Sequence, residues 1–112
     1  MDSFSNKKDI KSIIKDYIRL LRKEFYIKGV YLYGSSVTGT SDEQSDIDVA
    51  VVSDDFSGDL VEDTFKLMRI RRQVDNRIEP HPFLSEDFNN KNPFVKEIMK
   101  DMIQVELLYY IE

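Results

Sequence analysis

Cysteine is absent from the 112 residues. That excludes a disulfide framework, a thiolate metal site and a thiol nucleophile, and it suits a reducing cytoplasm, where the chain is expected to reside. No long apolar run exists. The longest, Leu107 to Ile111, is far too short to span a bilayer, so no membrane partner is expected. The polar N-terminus lacks the apolar segment of a secretion signal, and residues 1–8 are expected to fray. Basic residues are outnumbered, 16 Lys and Arg against 21 Asp and Glu, for a net charge of −5. Such a balance argues against binding a long nucleic acid, whose affinity rests on neutralised phosphates. It does not exclude a single nucleotide arriving with its metal. Repeats, low-complexity tracts and linkers are also missing, so residues 1–112 are expected to form one domain.

What is present concentrates between Val30 and Val52. An apolar, aromatic run ends in Gly34-Ser35. A loop of small residues follows, with a second glycine at Gly39. Ser45 then leads into Asp46-Ile47-Asp48 and the β-branched run Val49 to Val52. The pattern predicts a strand, an anion-gripping turn, and a strand that opens with two carboxylates. Side chains alternate along a strand, so Asp46 and Asp48 share one face while Ile47, Val49 and Val51 take the other. Two adjacent carboxylates repel and are costly to bury. A shared divalent cation relieves that cost, and all-oxygen ligation of this kind suits Mg²⁺ completed by substrate phosphates. Gly34 and Gly39 lack a Cβ and let backbone N–H groups approach an anion, and Ser35 adds a hydroxyl. Each half alone reads as ordinary turn and strand-start chemistry. Together they are the equipment of phosphoryl or nucleotidyl transfer.

Gly34-Ser35, a ten-residue spacer and Asp46-x-Asp48 resemble the signature of the DNA polymerase beta-type nucleotidyltransferase superfamily. Its minimal nucleotidyltransferase branch is nearest in size, and the resemblance covers about residues 10 to 108. It implies an α/β (α+β) fold, a small mixed sheet with helices mainly on one face. It also implies ATP as substrate, two Mg²⁺ ions, and catalytic and metal-binding roles for Asp46, Asp48 and a third acidic residue on the neighbouring strand. Glu79 is the candidate for that third position, one methylene longer than the Asp common there. Gly34, Ser35, Gly39 and Ser45 would hold the nucleotide. Similar minimal nucleotidyltransferases pair with a small helical HEPN-type ribonuclease toxin, which implies an antitoxin role, a partner protein as acceptor, and room for oligomerisation.

The flanking sequence supplies scaffold. Ile10, Ile13, Ile14, Tyr17, Ile18 and Leu21 fall at three- and four-residue spacing, predicting a helix over 9–26 that Gly29 stops in a left-handed conformation. Asp54 and Asp55 read as solvated turn residues. Ser57 or Asp59 caps a second helix over 60–74, with Leu60, Thr64, Leu67, Met68 and Arg71 sharing a face. Arg69, Arg71, Arg72 and Arg77 suit a helix C-terminus through its dipole or, alternatively, a phosphate or partner contact. Residues 77–83 read as a third strand, short or at an edge because of Pro80 and Pro82. The lone histidine, His81, is read as structural, or as flanking the site. A helical turn is expected over 85–88, and Asn92-Pro93 starts a helix to Asp101 that buries Val95, Ile98, Met99 and Met102. Residues 103–107 alternate, as either a terminal strand or continued helix, and the aromatic end of the chain could offer a partner surface.

Two functions remain in view. One is an Mg²⁺-dependent enzyme moving AMP from ATP to an acceptor hydroxyl. The other is a binding module with a silent metal site that neutralises a partner by contact, with a regulatory ATP sensor as a third option.

Overall fold

The structure, a computed structural model, describes residues 9–38 and 45–105. The expectations for residues 1–8, Gly39 and residues 106–112 fall outside them. Helix α1 (Ile10–Glu24) is capped by Asp9, whose carboxylate accepts from the Ser12 N–H at 2.8 Å. Strand β1 (Gly29–Tyr33) and the one-turn helix α2 (Ser35–Thr38) follow, then strand β2 (Ile47–Val52). Helix α3 (Leu60–Arg71) leads to strand β3 (Ile78–Phe83), a 3₁₀ turn (Ser85–Asp87), helix α4 (Pro93–Ile98) and strand β4 (Ile103–Gln104). The four strands form one mixed sheet in the order β3-β2-β1-β4. Strand β1 runs antiparallel to β2 and β4, while β2 and β3 are parallel with α3 as their crossover.

One sheet face carries Val30, Leu32, Ile47, Val49, Val51 and Ile78, all buried against the apolar stripes of α1 and α3. The Tyr17 hydroxyl donates to the Leu67 carbonyl at 2.8 Å and ties these two helices together. Burial pushes that phenol well above the ordinary tyrosine range. The opposite face carries Tyr31, Tyr33, Asp48, Ala50, Glu79, His81 and Phe83 by strand register. It is partly covered, because a smaller cluster sets Ile98, Phe88 and Met102 against Tyr31, Tyr33, Ala50 and Phe83. Helices therefore pack mainly on one face, as the resemblance implies, and α4 claims part of the other.

Several boundaries differ from the sequence pattern. Helix α1 stops at Glu24 because Phe25 turns extended and sinks into the core with Ile27. Gly29 is not a left-handed stop. It opens β1 without positive φ, and a Cβ there would lie 2.8 Å from the Tyr31 ring. Helix α3 ends at Arg71, and the next residues close as tight turns, Gln73 N–H to Ile70 O and Val74 N–H to Arg71 O.

The buried stripe of α3 is Asp63, Leu67 and Ile70, whereas Leu60 is 67% exposed. The cause is Asp63. Its carboxylate turns inward to accept from Ser57 N–H and Oγ and from Gly58 N–H, while Asp59 is the cap, accepting from Val61 and Glu62 N–H. Asp54 and Asp55 are likewise tied down. Asp54 pairs with Lys28 at 2.9 Å and accepts from Ser85 N–H and Oγ, and Asp55 accepts from Tyr26 N–H at 2.7 Å. Helix α4 has the expected Asn92 cap and Pro93 start but ends at Ile98, which leaves Met99 exposed. Residues 103–104 are strand.

Strand β3 is the edge predicted from its prolines. Ile47 N–H and Ser53 N–H donate to the Arg77 and Phe83 carbonyls, so alternate residues from Arg77 to Phe83 face β2. Ile78, Pro80 and Pro82 then point their backbone groups outward. The Ile78 N–H and carbonyl are taken by Asp75 O and Arg71, and the prolines carry no N–H.

Among the described residues no helix is long and apolar enough to cross a membrane.

Candidate active site

The sheet register brings three side chains into a row. Tyr33 pairs with Asp48 across β1 and β2, and Asp48 pairs with Glu79 across β2 and β3. Asp46 is exposed and lies just before β2, which opens at Ile47 and not at Asp46 as the sequence pattern predicts. Its charge and that of Glu79 both act on Asp48. Burial, then these two like charges, push the Asp48 carboxyl above the usual aspartate range, with His81 partly offsetting them.

Gly34 follows Tyr33 directly and adopts φ +79°. A Cβ built on it would lie 2.6 Å from Asp48 Oδ2, so the carboxylate rests against bare backbone. The chain then turns into α2, where Val37 and Thr38 N–H donate back to the Gly34 carbonyl at 3.0 and 3.1 Å. Ser36 Oγ donates to the Tyr33 carbonyl at 3.4 Å. The leading N–H groups of such a turn have no partner within it, and Gly34 and Ser35 begin it beside Asp48. Ser45 lies at the far end of the loop, just before Asp46.

Aromatic rings border the row. Tyr33 stands 6.0 Å from His81 and 5.7 Å from Phe94 between ring centroids, and Phe94 also faces His81 and Phe83. Tyr33 is 7% exposed, and burial with the Asp48 and Glu79 charges pushes its phenol well above the ordinary range. It stays a neutral wall.

The donor chemistry fits a hard divalent cation. Asp48 bears like charge that a cation would relieve, and two carboxylates with phosphate oxygens satisfy Mg²⁺. Among the described residues, though, no three His, Asp or Glu side chains are arranged as a ready-made metal cage. Glu79 lies next to Asp48 by register, yet its Oε1 is 3.7 Å from Nη1 of Arg71. The sequence pattern puts Arg71 on the shared face of the second helix and suits it to a helix end, a phosphate or a partner; the structure sets it against Glu79. The contact joins α3 to β3, and no short-range spacing announces it. Phe94, on α4, was likewise not anticipated beside His81.

A family model described as a nucleotidyltransferase domain matches residues 10–107. A protein of Methanocaldococcus jannaschii named "Putative protein adenylyltransferase" is 29% identical over 105 residues, 87% of this chain and 95% of that protein. A "putative nucleotidyltransferase" from Sulfolobus solfataricus superimposes with a TM-score of 0.61 at 19% identity, covering 85% of this chain and 78% of its own. A structure described as a toxin-antitoxin with AMP-PNP gives 0.60 at 21% identity, covering 86% and 72%. These two likenesses speak to the fold.

Proposed function

The chain belongs to the nucleotidyltransferase domain family, and from that premise we propose that it transfers AMP from ATP, with Mg²⁺, to a hydroxyl on a partner protein as the antitoxin of a toxin–antitoxin pair. The observation that carries this reading is the contact of Asp48 with the Gly34 backbone, with Glu79 in register beside it. It sets the carboxylates beside a glycine turn at one corner of the sheet, which supports an anion site there. The relative named as a protein adenylyltransferase supports a protein acceptor, and the toxin-antitoxin structure with AMP-PNP supports both an adenine nucleotide and a partner. A cytoplasmic location goes with such a partner.

Each residue has a task in this reading. Asp46 and Asp48 hold the divalent ions, and Glu79 is the third carboxylate, placed to draw the proton from the acceptor hydroxyl. Gly34 and Ser35 offer N–H and hydroxyl donors to the β- and γ-phosphates, with Gly39 and Ser45 on the same loop as further nucleotide contacts. Tyr33, 7% exposed, walls one side of the corner, and Phe94, 40% exposed, borders it. When bound, Mg²⁺ supplies charge stabilisation for the attacking and leaving oxygens.

The test is incubation with ATP labelled at the α-phosphate, Mg²⁺ and the product of the neighbouring gene. Label on that protein, lost with Asp48→Ala, is the expected result. A stable complex without label would overturn transfer and leave inhibition by contact.

A further inference from the structure

We propose that Arg71 positions Glu79 and competes with the divalent cation for it. The inference rests on the nucleotidyl-transfer reading and concerns how tightly its metal is held. Arg71 is the last residue of α3, and its side chain is only 19% exposed. Its Nη1 donates to the Ile78 carbonyl at 2.7 Å, which fixes the guanidinium against β3. From that anchor the same nitrogen reaches Glu79 Oε1 at 3.7 Å, within ion-pair range and beyond a hydrogen bond. The Glu79 side chain is 42% exposed. One partner is thus clamped and the other is free to swing.

The other charges facing Glu79 deepen the contrast. Asp48 is its neighbour in register, and Asp46 acts on the same carboxylate row. His81 lies two residues on, on the same face. Arg71 is the cation that the structure sets within ion-pair distance of Glu79. Among the described residues only two buried side-chain polar atoms lack a hydrogen-bond partner, Tyr33 Oη and Arg71 Nε. With Nε unpartnered, the guanidinium is held through Nη1 on the Ile78 carbonyl. Asp46, Asp48 and Glu79 would hold the cation together, and to do so Glu79 would leave a guanidinium anchored on the Ile78 carbonyl. The Arg71–Glu79 attraction is lost in that step, so it sets the metal affinity from outside the ligand set. A lysine keeps the charge that attracts Glu79 while losing the guanidinium plane.

The experiment is Mn²⁺ titration of the nucleotide-free protein, read by electron paramagnetic resonance. Arg71→Met should bind about three- to fivefold more tightly than wild type, the scale of a partly exposed ion pair. Arg71→Lys should stay near wild type. On a Glu79→Gln background, Arg71→Met should have no effect. Equal or weaker binding by Arg71→Met overturns the proposal. Wild type that binds Mn²⁺ neither alone nor with a non-hydrolysable ATP analogue instead removes the metal site and the transfer reading with it. Should Arg71→Met not fold, the Arg71 Nε–H resonance, identified by its loss in Arg71→Lys, carries the test. It should shift on adding Mg²⁺ to wild type and stay put in Glu79→Gln, and an unmoved wild-type signal overturns the proposal.

Discussion

Asp48 Oδ2 occupies the space where a side chain on Gly34 would begin, 2.6 Å from the ideal Cβ position. The end of β1 and the start of β2 are therefore fitted to each other through a missing methyl group.

Gly34→Ala tests that fit. A left-handed backbone costs a non-glycine residue roughly 1–2 kcal/mol, and the new methyl must displace the carboxylate. Label transfer should fall by about 100-fold, the scale of an ångström misplacement of a reacting group. Urea unfolding should show the backbone cost separately.

Asp48→Asn should separate stability from function. The folded protein raises the Asp48 carboxyl, so the ionised form opposes folding. That penalty is absent below the unfolded value, grows as pH rises through the folded one, and is complete at neutral pH. The variant should melt at or above wild type at pH 7, with the difference vanishing as pH falls below about 4. Transfer activity should drop by about 100-fold or more.

Asp54 predicts the opposite pH dependence. Its bonds to Lys28 and Ser85 hold its carboxyl down at about 2. The stability it adds is present above the unfolded value and lost as pH falls through about 2. Asp54→Ala should lower the melting temperature at pH 7, and acid titration should bring the two curves together.

Asp63 is 3% exposed, and its carboxylate takes three donors from Ser57 and Gly58. Asp63→Ala removes three hydrogen bonds to a buried carboxylate from donors on an exposed loop, at a cost of about 1.5–3 kcal/mol, the scale of hydrogen bonds to a charged group. Denaturant unfolding reads this directly. Asp59→Ala, which removes only a helix cap, should cost about 1 kcal/mol.

The carboxylate pair and the glycine turn were legible because both are written in consecutive residues with a fixed geometric meaning. Strand alternation set Asp48 on the face opposite Ile47, Val49 and Val51, and the prolines of residues 77–83 announced an edge. Asn92-Pro93 marked the start of α4 by its own local chemistry. The errors came where tertiary partners decided. Phe25 and Ile27 end α1 early because the core claims them. The face of α3 was misread because a carboxylate, Asp63, takes an interior position on the strength of loop donors no helical periodicity records. The two-residue β4 is too short for period 2 and period 3.6 to be told apart. The Arg71–Glu79 approach depends on where the α3 crossover sets β3 down, which no spacing fixes.

The outer border of β3 has a consequence for what can reach Glu79. Ile78 has spent both backbone groups, and Pro80 and Pro82 have no hydrogen to give. An extended peptide meets only the Pro80 and Pro82 carbonyls there and no N–H donor, so a strand-addition ladder cannot be completed at the rim nearest the carboxylate row. A protein that delivers a hydroxyl to this corner must present it from a helix or the tip of a loop.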